Sequence, residues 1–332
     1  MKFIAEIGVN HNGSLKKAKQ MILKAKKIGA DIVKFQSYKT DLIIDKKTPM
    51  AKYQATSLSN KKITQHSMLK NYELSFVQQK KIINFCKKNK IEYLASVFDN
   101  ESLKFNILSG LKKIKIPSGE LNNFILLMGL KNFKGEILIS VGMATTREIK
   151  KTLDFLKKIK IKKKNIILMY CVSDYPSKVL DINLNSIPYL RKKFHVNVGF
   201  SDHSLGVEFP IAAMTLKINY LEKHVTLDKN DFGPDHKASL EFSEFGSMIR
   251  MCKNILQTLK KFEKKNSINE KLNAKVVRKK IFAKYNIKKN EKFSFNNLTA
   301  KRFNKGISIG KLFQIINKKS KKFFFKDELI KI

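Results

Sequence analysis

The chain has 332 residues with a formal net charge of +41, and hydrophobic residues make up 43% of it. This hydrophobic content argues against wholesale disorder, the length favours one large domain with a small one, and no apolar run approaches the roughly 20 residues needed to cross a bilayer. The three cysteines form no C-x-x-C pair, and the first residues lead straight into a strand without a signal-peptide pattern, so we expect a reduced, cytoplasmic protein.

The positive charge does not by itself indicate a nucleic-acid partner. Lysines recur in pairs and triplets along the whole length, as at Lys16-Lys17 and Lys321-Lys322. Arg is scarce, Trp is absent, and no zinc-finger spacing or RNP-like aromatic motif occurs. We interpret most of these lysines as solvated helix faces, whose field would attract an anionic substrate. We therefore expect neither nucleic acid nor a membrane as a partner.

Short apolar runs alternate with helical segments through most of the chain. The runs are rich in Ile and Val, as buried parallel strands are, and the segments between them show helical apolar spacing with Lys-rich outer faces. The predicted strands are Phe3 to Ile7, Asp31 to Phe35, Glu92 to Ser96, Lys113 to Ile116, Glu136 to Ser140, Asn165 to Cys171, Val196 to Phe200 and Asn219 to Glu222. Eight strands, each followed by a helix, predict a (β/α)8 (TIM) barrel of the usual size of about 250 residues.

Two segments interrupt this alternation. The connection from Tyr38 to Tyr72 is unusually long, and a connection of that length in a compact barrel is usually functional or mobile. The polar stretch KKNSINEKLNAK lacks apolar periodicity and is predicted to be a linker. The predicted organisation is therefore a barrel domain over residues 1–263, a linker over residues 264–275 and a small β-rich domain over residues 276–332.

Polar residues follow the carboxyl ends of the predicted strands, where the catalytic groups of such barrels lie. In chain order these residues are Glu6, Lys34, Gln36, Ser96, Lys115, Ser118, Glu120, Ser140, Ser173, Tyr175, Ser201, Asp202, His203, Glu222, Lys223 and His224. A single serine such as Ser96 is more often a helix N-cap. Charged residues, however, are costly to bury unless they are paired, so the set indicates a site. Lys34 and Lys115 are the expected partners of a phosphate or carboxylate.

Two histidines and one loop add further polar groups at the carboxyl ends of the predicted strands. His203 and His224 follow adjacent predicted strands, and two neutral imidazoles with open positions suit a first-row divalent cation. Either histidine alone would more often be an ordinary hydrogen-bonded residue. The loop FGPDHKASLE over residues 232–241 contains Asp235, which suits either a polyhydroxylated ligand or an ordinary helix-capping turn.

The chain resembles the sialic acid synthase family in a series of ordered motifs. They are AEIGVNHNGS (5–14), VKFQSY (33–38), KIPSGELNN (115–123), SVGMA (140–144), SDHSLG (201–206), EKHVTLDKN (222–230) and GPDHKASLE (233–241). NLTAKRFNKGIS (297–308) resembles the antifreeze-like (SAF) domain that follows the barrel in that family. The resemblance implies a metal-dependent transferase that condenses phosphoenolpyruvate with an N-acylated amino sugar and releases phosphate.

The resemblance also implies roles for individual residues. Phosphoenolpyruvate would be held by Lys34, Ser96, Lys115, Ser118, Ser140, Ser173 and Ser201. The amino sugar would contact Gln36, Glu120, Tyr175, Asp235 and Arg302, with Glu6 and Glu120 as catalytic acids. His203 and His224 would bind the metal, usually Mn²⁺ in this family, with Mg²⁺ or Co²⁺ as alternatives. Arg302 would reach the neighbouring subunit's site, which implies a domain-swapped homodimer.

Three motifs depart from the family pattern, and the sugar stays open. ASVF (95–98) replaces S-T-P-F, CVSDYP (171–176) replaces C-T-x-x-Y-P, and KRFNKG (301–306) replaces K-R-P-G-N-G. The main prediction is N-acetylneuraminate synthesis from N-acetylmannosamine. The alternative is a synthase for legionaminic acid, or another nonulosonic acid, that uses a 2,4-diacetamido-trideoxy hexose. Small differences in the pocket decide between such sugars.

Two other classes of function compete with a synthase. A Schiff-base aldolase would use one of the strand-end lysines Lys34, Lys115 or Lys223 as its nucleophile. A basic, non-enzymatic protein would instead bind nucleic acid in a salt-dependent manner.

Overall fold

The computed structural model describes residues 1–50, 64–259 and 263–331. These residues fall into two compact units, Met1–Leu259 and Lys260–Ile332. Residues 51–63, which belong to the long connection predicted between Tyr38 and Tyr72, lie outside the described part of the chain.

The first unit is a closed barrel of eight parallel strands, as predicted. Each strand pairs with the next one in the chain, and the eighth pairs with the first, which closes the sheet. The strands are β1 (Lys2–Gly8), β2 (Ile32–Ser37), β3 (Glu92–Val97), β4 (Lys113–Ile116), β5 (Glu136–Ser140), β6 (Ile166–Tyr170), β7 (Asn197–Asp202) and β8 (Tyr220–Thr226). A two-residue strand, β9 (Leu240–Glu241), adds to the carboxyl end of β8.

Helices connect the strands, and several of them begin at capping residues. Ser75 with Gln78 and Thr145 with Glu148 form capping boxes, which satisfy the free N–H groups of a first turn. The helices are α1 (Leu15–Lys27), α2 (Thr40–Ile43), α3 (Gln65–Tyr72), α4 (Phe76–Lys88), α5 (Asn100–Leu108), α6 (Phe124–Met128), α7 (Thr146–Lys158), α8 (Ser186–Phe194), α9 (Glu208–Thr215) and α10 (Phe242–Thr258). None of the helices in the described ranges is long and apolar enough to cross a membrane.

An apolar layer fills the barrel interior beneath the strand ends. It consists of Ile4, Ile32, Leu94, Leu138, Ile167, Met169 and Tyr220. Side chains two residues apart on a strand share a face, so Ile4 is followed on the inner face by Glu6, Ile32 by Lys34, and Leu138 by Ser140. On the inner face of each of these strands, the packed apolar core therefore changes to a polar cavity floor within two residues.

The second unit has its own small core. Strands β10 (Lys279–Ala283) and β11 (Leu298–Arg302) pair antiparallel, and they contribute to a core of Ile281, Ala283, Ile287, Phe293, Leu298, Ile315, Phe324 and Ile330. Helix α11 (Ile268–Val277) occupies much of the stretch predicted as a linker, and none of its residues is buried. A capping box of Ser267 and Glu270 starts this helix, and Ile268, Leu272 and Val276 recur along it at four-residue spacing with their side chains exposed.

Shortening a side chain of the interior layer should destabilise the barrel. Leu138 is fully buried, and we expect Leu138→Ala to lower the free energy of unfolding by about 2–5 kcal/mol because it leaves a cavity. Urea unfolding at equilibrium measures this change. Leu180→Ala is the matched control, since Leu180 is 98% exposed and its truncation should change the free energy by less than about 0.5 kcal/mol. Equal losses in the two variants would contradict the assignment of this layer.

Candidate active site

A cavity of about 400 Å³ opens at the carboxyl ends of the barrel strands. It brings together nearly all the site residues predicted in the barrel. Its lining includes Glu6, Lys34, Gln36, Ser96, Lys115, Ser118, Glu120, Ser140, Ser173, Tyr175, Ser201, His203 and His224. Asp235 lies beside it, with Oδ2 3.8 Å from Nδ1 of His224. Arg302 belongs to β11 of the second unit.

The cavity floor is organised around Glu222. Its carboxylate accepts hydrogen bonds from Lys115 Nζ at 2.9 and 3.0 Å and from Ser201 Oγ at 2.8 Å, and it lies 2.9 Å from Lys34 Nζ. Although Glu222 was one of the polar strand-end residues, the sequence prediction gave it no role. The signal was present, because Glu222 precedes the candidate ligand His224 by two residues and must share its inward face.

The charges on the floor are strongly coupled. Burial alone would raise the pKa of Glu222, but Lys115 and Lys34 outweigh it and hold that pKa well below its usual range. Burial also disfavours the charged form of Lys34, yet Glu222 and Glu6 more than offset this and raise its pKa. Burial dominates at Lys115 and lowers its pKa. The floor thus holds an ionised Glu222 against a strongly basic Lys34.

Glu6 is in a different state from Glu222. Burial raises the pKa of Glu6 to about 8, against the opposing charge of Lys34 at 3.5 Å. Its Oε2 is buried and has no hydrogen-bond partner among the described residues. At neutral pH the Glu6 carboxyl is therefore protonated, and it can donate a proton into the cavity.

The two histidines lie side by side on the rim. Their ring centroids are 5.9 Å apart, and the Tyr175 ring lies 4.1 Å from that of His203. Nδ1 of His203 donates to the Val172 carbonyl at 2.6 Å, which fixes the tautomer and leaves Nε2 with a lone pair. Burial lowers the pKa of His203 to about 4 and that of His224 well below its usual value, so both rings are neutral.

The donor set fits a divalent cation with an open coordination sphere. His203 offers Nε2, and Nδ1 of His224 is buried without a hydrogen-bond partner in the described ranges. Within these ranges, no group of three or more His, Cys, Asp or Glu residues could hold an ion by itself. An ion bound by the two imidazoles would therefore take its other ligands from water or substrate.

The loop after β8 is held at the rim by buried hydrogen bonds. His236 Nδ1 lies 2.7 Å from Thr226 Oγ1, and its Nε2 lies 3.1 Å from Asn12 Oδ1. Ser239 Oγ donates to the carbonyl of Asp235 at 2.7 Å. These contacts place Asp235, whose pKa burial raises to about 6, beside His224.

Glu120 lies on the opposite part of the cavity wall. It ends a 3-10 turn, Ser118–Glu120, that follows β4. Its carboxylate accepts a hydrogen bond from Asn123 Nδ2 at 2.7 Å, and burial raises its pKa. Ser118 Oγ accepts from the backbone N–H of Gly142 at 3.1 Å, which links the ends of β4 and β5.

The outer wall of the cavity is apolar on one side. The half-buried side chains of Ile43, Ile44, Leu69 and Phe98 line it. Tyr38 joins this wall, because its hydroxyl donates to the Leu69 carbonyl at 2.9 Å and its ring packs edge-on against Phe98. We call these five residues the apolar wall. The sequence analysis did not identify it, because most of it comes from the irregular connection after β2.

Each of the three lysines considered above as a Schiff-base nucleophile is ion-paired with a carboxylate. Lys223 is fully buried outside the cavity lining, where its Nζ donates to Asp202 and to the Ser204 carbonyl. Lys34 and Lys115 do line the cavity, but both are ion-paired with Glu222. A Schiff-base lysine must be a free amine. The pairing favours the protonated form at Lys34, whose pKa is raised, whereas burial lowers the pKa of Lys115 and Lys223.

Comparison with known proteins finds a matching family model, similar sequences and a similar solved structure. The sequence matches a model described as the NeuB family over residues 21–264. It is 40% identical over 328 residues to the N,N'-diacetyllegionaminic acid synthase of Campylobacter jejuni, covering 99% of this chain and 98% of that protein. A protein of the same name from Legionella pneumophila is 35% identical over 315 residues, covering 94% and 88%. The N-acetylneuraminic acid (sialic acid) synthetase structure from Leptospira borgpetersenii is 28% identical, with a TM-score of 0.69, over 82% of this chain and 89% of that one.

The raised pKa of Glu6 predicts a pH-dependent stability. Glu6 has an ordinary value of 4.5 when unfolded and about 8 when folded, so the folded chain holds an extra proton between these values. Stability therefore falls as pH rises through this window. In metal-free protein, Glu6→Gln should reduce the fall in unfolding free energy between pH 5.5 and 7.5 by more than about 1 kcal/mol. Urea titrations at the two pH values measure it.

The matched control for this prediction is Glu101→Gln, at an exposed glutamate on α5. We expect it to leave the pH dependence of unfolding as in the unmodified chain. Parallel curves for the unmodified chain and Glu6→Gln would show that Glu6 is ionised in the folded protein.

Proposed function

Because the chain belongs to the NeuB family, we propose that it condenses phosphoenolpyruvate with a 2,4-diacetamido-2,4,6-trideoxy hexose, giving a legionaminic acid and phosphate. The observation that carries this proposal is the 40% identity to the Campylobacter jejuni synthase across 99% of the chain. The comparisons favour this alternative over the main prediction, N-acetylneuraminate synthesis, since the sialic acid synthetase structure is 28% identical.

The apolar wall supports the same choice of sugar. The aldehyde carbon must meet phosphoenolpyruvate near the polar floor, so the far end of the open-chain sugar points toward the outer part of the cavity. The diacetamido sugar has an acetamido group at C4 and a methyl group at C6, where N-acetylmannosamine has hydroxyls. Apolar side chains such as Ile44 and Leu69 favour methyl groups and offer a hydroxyl no hydrogen bond.

The polar floor suits phosphoenolpyruvate, a compact anion with a phosphate and a carboxylate. Each lysine ammonium has three donor hydrogens, so Lys34 and Lys115 can contact Glu222 and the substrate together. We assign the phosphate and carboxylate oxygens to these two lysines and to a ring of hydroxyls, Ser96, Ser118, Ser140, Ser173 and Ser201. This arrangement would hold the alkene carbon at a fixed distance from the sugar aldehyde.

The reaction forms one carbon–carbon bond and releases one phosphate. C3 of phosphoenolpyruvate attacks the aldehyde carbon, whose oxygen takes up a proton, and water adds at C2 before phosphate leaves. Glu6 carries a proton at neutral pH and would donate it to the aldehyde oxygen. Its carboxylate would then accept a proton from the attacking water. Glu120, together with Gln36, Tyr175 and Asp235, would bind the sugar's hydroxyl and amide groups.

His203 and His224 would hold a divalent cation, for which the family resemblance favours Mn²⁺ over Mg²⁺ or Co²⁺. Such an ion, when bound, polarises a carbonyl oxygen as a Lewis acid. The two neutral rings and the fixed tautomer of His203 support this assignment.

For the second unit we propose an SAF-type domain that completes the site of a neighbouring subunit. The resemblance of residues 297–308 to that domain supports this. Arg302 is exposed at the end of β11, where its guanidinium is free to reach an anionic or hydroxylated ligand. A domain-swapped homodimer would follow from this role.

Phosphate release tests the proposed reaction. Purified protein with Mn²⁺ should release phosphate from phosphoenolpyruvate when the diacetamido sugar is added, more slowly with N-acetylmannosamine, and not without a sugar. Chelation with EDTA should stop the release, and Mn²⁺ should restore it. No release with either sugar would refute the synthase, whereas faster release with N-acetylmannosamine would restore the main prediction.

The apolar wall predicts how this preference can be changed. Ile44→Ser should lower the ratio of kcat/KM for the diacetamido sugar to that for N-acetylmannosamine by about 10-fold, because it removes an apolar contact and adds a hydroxyl. Leu42→Ser is the matched control, since Leu42 lies two residues before Ile44 in the same connection, is 55% exposed and does not line the cavity. An unchanged ratio of kcat/KM in Ile44→Ser would show that the apolar wall does not determine the sugar preference.

A further inference from the structure

Strand β7, which His203 follows directly, and strand β8, which carries His224, are joined on both faces of the barrel wall. Ser201 pairs in register with Glu222, and Asp202 pairs with Lys223. Because side chains alternate along a strand, Ser201 and Glu222 point into the cavity, where Ser201 Oγ donates to Glu222 at 2.8 Å. Asp202 and Lys223 are outside the cavity lining, on the other face of the same register pairs.

The outer pair forms a closed network around the backbone of His203. Lys223 Nζ donates to Asp202 Oδ2, and also to the Ser204 carbonyl at 2.6 Å. Asp202 Oδ1 accepts from the Ser204 backbone N–H at 3.0 Å and from its hydroxyl at 2.8 Å. His203 lies between two residues that this network holds, and Lys223 is the neighbour of His224. We call Asp202, Ser204 and Lys223 the outer clamp.

The outer clamp is deeply buried, so its charges are shielded from solvent. The side chains of Lys223 and Asp202 are 0% and 1% exposed. Desolvating two charges costs about as much as their attraction returns, so a buried ion pair is weak evidence for stability. Its better-attested effect is to fix one geometry where apolar packing would allow several. Asp202 and Lys223 directly precede His203 and His224 in the chain, so a geometry fixed by the pair would include the backbone that carries both imidazoles.

We propose that Asp202, Ser204 and Lys223 are positioning residues that set the separation of His203 and His224 for divalent-cation binding. This inference rests on the metal assignment of the proposed function. The residues do not line the cavity; they would act through the backbone of β7 and β8. Groups that hydrogen-bond directly to metal-ligating side chains usually contribute about 10- to 100-fold to metal affinity, and we expect the clamp, which holds the backbone of the two histidines, to contribute within the same range.

The test removes both charges while keeping the shape of the pair. In Asp202→Asn/Lys223→Met, the amide oxygen can still accept from Ser204, and the methionine fills the space of the lysine stem. Because neither charge is left unpaired, we expect the thermal midpoint to stay near that of the unmodified chain. Mn²⁺ affinity, measured by electron paramagnetic resonance titration of the full chain, should fall about 10- to 100-fold.

The matched control is Glu92→Gln/Lys113→Met, which removes a lysine–carboxylate pair at the amino-terminal end of β3 and β4. Lys113 Nζ lies 2.5 Å from Glu92, on the opposite side of the apolar interior layer from the histidines. This variant should bind Mn²⁺ as the unmodified chain does. A similar loss of affinity in both double variants would mean that the clamp acts only through general stability, which overturns the inference.

The remaining outcomes separate the inference from the proposed function. A folded clamp variant with unchanged Mn²⁺ affinity overturns the positioning role and leaves the metal site and the synthase standing. Failure of the unmodified chain to bind Mn²⁺ removes the metal site and the inference with it, whereas phosphate release is measured independently. If the double variant does not fold, Ser204→Ala removes one hydrogen bond of the clamp, and an unchanged affinity there would equally overturn the inference.

Discussion

The structure depends on the two-residue alternation of side chains along strands that close into a barrel. Closure gives each strand one inner and one outer face, and the alternation assigns every residue to one of them. On the inner face, an apolar residue such as Ile4 or Ile32 is followed by a charged one, Glu6 or Lys34. On the outer face of β7 and β8, Asp202 and Lys223 are paired out of contact with the cavity. The apolar core, the cavity floor and the outer clamp are therefore formed by neighbouring residues along the barrel strands, as Tyr220, Glu222 and Lys223 are on β8.

Glu222 makes this charged floor possible. Two lysines above an apolar layer would repel each other and lose their hydration, which is costly for buried cations. One carboxylate between Lys34 and Lys115 offsets both effects and still leaves donor hydrogens for a ligand. The same negative charge, added to burial, raises the pKa of Glu6 and keeps its proton in place. Glu222 thus affects both the positive charge of the two lysines and the protonation of Glu6.

The sequence predicted the fold and most of the floor because both follow the strand period. Apolar runs such as Lys113 to Ile116 coincide with observed strands, and the polar residues after them meet at one end, as parallel strands require. The pairing of Glu222 with two lysines could not be predicted, because it joins β2, β4 and β8 across the barrel. The apolar wall was missed for a related reason: Ile43, Ile44 and Leu69 belong to the long connection after β2, whose short helices do not follow the strand period.

This difference between floor and wall has a consequence for substrate choice. The floor is built on strands, where a change of residue affects the closed sheet, and in the proposed reaction its groups would contact the reacting atoms that related sugars have in common. Most of the wall is built on the connection after β2, and loops tolerate substitution better than the elements they join. On the proposed function, a change at Ile44 would therefore alter which sugar is accepted while Lys34, Lys115 and Glu222 keep their geometry. Differences in sugar among related synthases would then arise from loop residues, with the strand residues carrying the shared chemistry.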